Sequence, residues 1–217
     1  MSILHVSASP RGTRSHSRKI GSILVERLQA AAPGEVTRRD LAISPPPFPD
    51  SGFVEASLRP DGLRSPGSQQ TLETSETLIR ELETAAAVVL DMPIHNFTVP
   101  AVLKAWIDMV VCPGRTFRLT PDGKLGMLAD RPVVLIVACG GCLTGPPPSN
   151  SDFATPYLRH IFATIGIHDV AILLMEGLSR WQTEAEAAER VAAEKLDAIV
   201  GHVAPILRQT RGLPSRQ

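Results

Sequence analysis

The sequence predicts a doubly wound α/β fold: a five-stranded parallel sheet with helices on both faces. Three observations lead there. Five short strand-like runs are spaced along 217 residues, and most are apolar on both sides of the pleat, as strands buried between two helical layers are. Between these runs the apolar residues switch to a period of 3.6. The resulting order, β-α-β-α-β-α-β-α-β, requires parallel strands joined by right-handed crossovers.

The first strand is "ILHVSA" (3–8). A helix follows, with Ile20, Ile23, Leu24 and Leu28 at i, i+3, i+4 and i+8. The second strand, "EVTRRDL" (35–41), is polar throughout and suits a sheet edge. The segment from Ala42 to Ser68 is loaded with Pro and Gly and reads as one long loop, long enough for a lid. A weaker helix fits 69–84, ahead of the third strand "AAVVLDMP" (86–93). Leu103, Trp106, Ile107 and Val110 mark the next helix, and "PVVLIVA" (132–138) the fourth strand. A helix over 153–165 leads to the fifth strand, "DVAILLME" (169–176). The last helix carries Leu196, Ile199, Val203 and Ile206 on one stripe, with a capping box from Thr183 to Glu186. Residues 1–207 are expected to form one domain, and 208–217 a flexible tail.

A chain of this length can bury roughly 70% of the surface its unfolded form exposes, so it needs no disulfide or metal to fold. Lys plus Arg number 22 and Asp plus Glu number 22. That balance leaves no electrostatic footprint for nucleic acid or an acidic membrane surface. Three cysteines do not make a secreted disulfide framework. "MSILHVSASP" is too short in apolar residues for a signal segment, and Val133 to Cys139 is far short of a membrane span. A soluble cytoplasmic protein is expected.

In a doubly wound sheet the ligand sits beyond the carboxyl ends of the strands, around the switch point. The loops after strands one, three and four therefore matter most. After the first comes "SASPRGTRSHSRKIG", where Ser9, Ser15, Ser17 and two arginines lead into a helix N-terminus, a setting for phosphate. It matches neither a Walker A loop nor a G-x-G-x-x-G turn. After the third, "MPIHNFTVPAVLKAWID" strands His95, Asn96 and Phe97 at the strand end, where a flat heteroaromatic ring could lie. After the fourth, Cys139-Gly-Gly-Cys142 could be a redox dithiol, half a metal site, or a small-residue wall. The glycines and the prolines 146–148 forbid an immediate helix, which a redox first cysteine normally uses. Cys112 is the sole other cysteine, too few for a structural zinc, so no metal is expected.

Together these loops resemble the FMN-dependent NADH-azoreductases, a branch of the flavodoxin-like NAD(P)H:quinone oxidoreductases. The resemblance runs over nearly the whole chain. It is carried by "SASPRGTRSHSRKIG", "RRDLAISPPPFPD", "NFTVPAVLKAWIDMVVCPGRTF", the paired glycines and "TPYLRHIFATIGIHDV". It implies a noncovalent FMN that accepts a hydride from NADH or NADPH and passes two electrons to quinones, with aromatic azo compounds as a further acceptor class. It also implies a homodimer with two sites at its interface. By position, the phosphate cradle is Ser9, Ser15, His16 and Ser17. The ring lies on Ile94, His95, Asn96 and Phe97 and against Ala138, Cys139, Gly140 and Gly141. The flavin carries the chemistry, so no catalytic residue stands out beyond Asn96 and His95 as supporting groups.

The chain departs from this family at several places. His95 stands where Tyr is usual, and Ala138-Cys139-Gly140-Gly141 replaces Ser-Arg-Gly-Gly. Leu119 and Thr164, in positions that sandwich the substrate ring, replace Tyr and Phe, which weakens stacking with flat dyes. Arg59, in the long loop, is a further candidate for the substrate pocket. These changes keep open a second reading, a flavin-binding electron carrier or redox sensor without turnover. The neutral charge counts against a carrier. A dithiol of Cys139 and Cys142 coupled to the flavin is a third.

Overall fold

The computed structural model describes residues 2–59, 65–144, 151–178 and 182–210, the side chains of 182–184 and 210 excepted. Five parallel strands form the sheet: β1 (Ser2–Ser7), β2 (Glu35–Asp40), β3 (Ala87–Pro93), β6 (Val133–Ala138) and β7 (Val170–Met175). They lie in the order β2-β1-β3-β6-β7. All five sequence-derived strands are thus present, the polar one at an edge. The switch point lies between β1 and β3, whose carboxyl ends deliver the first two candidate loops.

One face of the sheet is covered by α1 (His16–Ala31) and α6 (Gln182–Thr210). Its core joins Ile3, Val89, Val134 and Ile136 to Ile20, Leu24, Leu28, Leu196 and Val203. The other face meets α2 (Ser51–Leu58), α3 (Pro66–Thr84), α4 (Ala101–Val110) and α5 (Ala154–Thr164). There Leu4, Val6, Leu90, Met92, Leu135 and Val137 pack on Phe53, Leu78, Leu103, Trp106 and Phe162. Burying such side chains is worth about 1.5–3 kcal/mol each.

Three features differ from expectation. Residues 42–68 are not one loop: Asp50 caps α2 by accepting from Phe53 N at 2.7 Å, and Pro66 opens α3. An antiparallel hairpin, β4 (Phe117–Thr120) and β5 (Gly123–Gly126), stands beside the sheet. It is locked to the turn after α5 where Gly126 meets Gly166, since a Cβ on Gly126 would lie 2.1 Å from Gly166 N. Finally, α6 runs on to Thr210, and Arg208 donates to Ala31 O at 3.0 Å, so helix replaces tail there. Residues 211–217 lie outside the described part. Thr183 falls within the first turn of α6 rather than ahead of it, and its side chain lies outside the described residues.

A polar ladder interrupts the α1 face. Asp91, on β3, is fully buried and accepts from Ser7 Oγ at 2.7 Å. His5 Nε2 lies 2.8 Å from the same carboxylate oxygen, and Arg38 Nη1 lies 2.9 Å from His5 Nδ1. A guanidinium can only donate, so Nδ1 accepts and the His5 proton sits on Nε2, aimed at Asp91. Gly21 of α1 passes directly above: a Cβ there would meet Asp91 Oδ2 at 2.8 Å and His5 Nε2 at 3.1 Å.

Candidate active site

The first wall forms where β1 turns through a short 3₁₀ segment (Gly12–Arg14) into α1. Ser9, Ser15 and Ser17 are all buried. Ser15 caps α1 through its hydroxyl, which accepts from Arg18 N at 3.4 Å and lies 3.2 Å from Ser17 Oγ. Arg18 fixes the turn from behind. It donates to Ser9 O from Nε at 2.9 Å and from Nη2 at 2.7 Å, and pairs with Asp40 at the end of β2. That guanidinium holds the Asp40 carboxyl below its usual range. The buried hydroxyls and the first-turn N–H groups of a 16-residue helix form a donor set suited to a phosphate. His16, the first residue of α1, places Nδ1 2.7 Å from Glu189 Oε1 on α6.

The second wall is the turn after β3. His95 and Thr98 exchange backbone hydrogen bonds of 3.0 and 3.1 Å, and the two residues between them, Asn96 and Phe97, have φ of 46° and 72°. Positive φ at both central positions is the type I′ geometry. Asn tolerates it, whereas Phe at 72° is a strained residue of the kind that clusters at functional sites.

The third wall is the loop after β6, stapled to the loop after β7. Leu178 N donates to Cys139 O at 3.2 Å and Gly177 N to Gly141 O at 3.1 Å. The Glu176 carboxylate accepts from the backbone of Leu143, from Thr144 N at 2.7 Å and from the Thr144 hydroxyl. Burial pushes this carboxyl up, but those donors outweigh it and hold it below the ordinary range. Burial pushes the Cys139 thiol up, opposed by the Gly141 backbone. A reactive dithiol needs the opposite shift, and all three cysteines are thiols.

The second and third walls enclose a pocket of about 240 Å³ lined by Ile94, Asn96, Phe97, Cys139, Gly140, Gly141, Leu143 and Ser151. Six of the eight ring-contacting candidates therefore come together. Ala138 ends β6 buried, and His95 is exposed; neither lines the pocket. Leu143, Ser151 and the staple Glu176 escaped the sequence reading. The one signal was an acid directly after an apolar strand. Of the substrate-pocket candidates, Leu119 is exposed on β4, Arg59 is exposed at the end of α2, and the Thr164 hydroxyl donates to His160 O at 2.8 Å. None of them lines the pocket. A larger hollow of about 470 Å³ lies under α1 beside β2. Three of its cations are already paired: Arg18 to Asp40, Lys19 to Glu189 and Arg39 to Glu81. Among the described residues no cluster of ligating side chains could hold a metal, and no helix is long and apolar enough to cross a membrane.

A phosphate-type donor set and a narrow, glycine-walled pocket on neighbouring strands fit FMN. Comparison with known proteins agrees. The flavodoxin-like-fold family model matches residues 1–200. FMN-dependent NADH:quinone oxidoreductase 2 of Cupriavidus pinatubonensis is 47% identical over 179 residues, 82% of this chain and 87% of its own. A namesake from Pseudomonas putida is 37% identical over 198 residues, 91% and 98% of the two chains. The azoreductase of Bacillus anthracis strain Sterne superposes with a TM-score of 0.83 at 22% identity, covering 93% of this chain and 99% of its own. An FMN-dependent NADH-azoreductase from Bacillus anthracis strain Ames Ancestor, solved with FMN, has a TM-score of 0.79 at 23% identity, covering 94% and 100%. The chain belongs to the flavodoxin-like-fold family and, within it, groups with the FMN-dependent NADH:quinone oxidoreductases.

Proposed function

We propose that this protein is an FMN-dependent oxidoreductase. It takes a hydride from NADH or NADPH and passes two electrons to quinones, and to aromatic azo compounds as a second class, in a ping-pong cycle. One observation carries the reading: a buried hydroxyl cradle and a glycine-walled pocket occupy the carboxyl ends of the adjacent strands β1, β3 and β6. Relatives named for NADH and quinone, at up to 47% identity, support the donor and acceptor.

FMN, when bound, supplies the hydride and electron chemistry. The chain binds it and shapes its field. Ser9, Ser15, His16 and Ser17 hold the phosphate. Ile94, Asn96 and Phe97 line one side of the ring, with His95 at their edge; Ala138, Cys139, Gly140 and Gly141 form the other. Backbone N–H groups of these loops stabilise negative charge as it develops. Among the described residues the pocket has no aromatic lining beyond Phe97. Exposed Leu119 and Phe153, at 74% and 61%, support a second copy as the missing lid, with Leu119, Thr164 and Arg59 contributing across a homodimer. One domain over residues 1–207 carries the site. Three cysteines held as thiols suit a reducing compartment, and the proposed location is the cytoplasm.

The deciding experiment is the visible spectrum of the purified protein, followed by steady-state oxidation of NADH and NADPH against a panel of quinones and azo dyes. A flavin spectrum bleached rapidly by either nicotinamide supports the enzyme. A colourless protein that takes up no added FMN overturns it.

A further inference from the structure

We propose that Glu189, far along the sequence on α6, is a positioning residue for the flavin phosphate: it holds His16 so that the imidazole meets the phosphate as a doubly protonated, charged donor. This rests on reading the N-terminus of α1 as the phosphate end.

His16 lies between Ser15 and Ser17, the two buried hydroxyls of that end. Its Nδ1 is 2.7 Å from Glu189 Oε1, and the other carboxylate oxygen is 2.5 Å from Lys19 Nζ, one turn further along α1. The Glu189 side chain is only 13% exposed. Burial pushes its carboxyl up, but Lys19 and His16 outweigh this and keep it below the ordinary range. An ionised carboxylate accepts only, so Nδ1 carries a proton and donates. Nε2 has no partner among the described residues.

A phosphate dianion has no proton to offer. Nε2 can therefore contact it only by carrying a second proton. The bond formed is charge-assisted, the strongest class available to a side chain. Lys19 offsets the Glu189 charge, so the carboxylate orients the ring without presenting a bare anion to the ligand. The other charged groups nearby are Arg11 and Arg14 in the 3₁₀ turn and Glu186 and Arg190 on α6, the last two lining the same α1–α6 groove as Lys19. Arg18 is turned away onto Asp40 and Ser9 O. A contact that merely glued α6 to α1 would change stability but could not tell FMN from riboflavin, which lacks the phosphate.

The test titrates flavin-free full-length protein with FMN and with riboflavin, by fluorescence and by calorimetry. Glu189→Gln and His16→Gln should each weaken FMN about tenfold near neutral pH, the worth of one charge-assisted hydrogen bond, and change riboflavin less than about twofold. The double variant should be no weaker than the worse single, because the two act as one unit. The unsubstituted protein gives an independent reading should a variant not fold: proton–nitrogen correlation spectra should show His16 with protons on both Nδ1 and Nε2 when FMN is bound. Equal losses for both flavins in Glu189→Gln, or a single imidazole proton with FMN bound, overturn the proposal. In that case a Ser17→Ala variant that weakens FMN more than riboflavin leaves the phosphate end intact. If Ser17→Ala weakens both flavins alike, the phosphate assignment fails as well.

Discussion

The two ends of the site are built by opposite means. The proposed phosphate end is buried and over-determined: three hydroxyls below one-tenth exposure, a capped helix, and Arg18 clamping the turn from behind. The ring end is open. Its turn sits in left-handed backbone at Asn96 and Phe97, Phe97 is 52% exposed, and its opposite wall is held by the Glu176 carboxylate and two backbone hydrogen bonds from a neighbouring loop. The residues that depart from the family pattern, His95, Ala138, Cys139, Leu119 and Thr164, were all assigned to the ring or substrate side. On the proposed assignment, affinity for the cofactor is preset where the structure is stiff, and reactivity is adjusted where it can yield.

Separate measurements on FMN and riboflavin turn this contrast into numbers. The largest effect is expected from Ser9→Ala combined with Ser17→Ala, which should weaken FMN about a hundredfold, two hydrogen bonds to a charged group, and riboflavin less than about twofold. Next, Glu176→Ala unties the ring-side loop and should weaken both flavins alike, by about tenfold. The sign of its pH dependence follows from the lowered carboxyl. The staple is in place above the ordinary carboxylate value, about 4.3, and is lost as pH falls through the lower folded value. Riboflavin release by the natural protein should rise as pH falls below the ordinary carboxylate range, and Glu176→Ala should lack that step.

A smaller effect tests the strain. Phe97→Gly makes the favoured Asn-Gly turn and should raise the stability of the flavin-free protein by about 1 kcal/mol in thermal denaturation, while weakening riboflavin. A loss of stability would mean that the turn is not strained. Least of all should come from Cys139→Ser with Cys142→Ser: turnover with several quinones should stay within about twofold. A drop beyond about tenfold would falsify the wall reading and restore the dithiol.

The sheet and its helices were legible because burial on two faces writes itself as β-branched runs, and helix packing as a 3.6 stripe. Helix α2 was hidden by flanking Pro and Gly and by its brevity, although Asp50 three residues before Phe53 was a usable cap signal. The β4–β5 hairpin was hidden because its strands are short and largely exposed, despite the Pro-Asp-Gly between them. That Ile94, Asn96, Phe97 and Cys139 to Gly141 line one pocket was legible because strand ends in this topology converge. Glu176 and Glu189 were not. Each acts on a partner more than thirty residues away, at separations of 33 and 173 for the printed bonds, and no local pattern encodes such a meeting. Asp91 and His5 are exceptions in plain view inside apolar strands, but nothing local in the sequence says that they meet.

Gly21 gives that exception a purpose. Because the ladder of Asp91 and His5 rises against α1, one position on the helix must lack a side chain, and there is one such position in its middle turns. Rotating α1 by a single residue, about 100°, would drive Ser22 or Ile20 into the carboxylate. The bare glycine above the polar ladder therefore works as a key in a slot, setting the azimuth of the helix and with it the direction in which Ser15, His16 and Ser17 face, some four to six residues upstream. A Gly21→Ala substitution should thus be felt at the phosphate before it is felt anywhere else in the site.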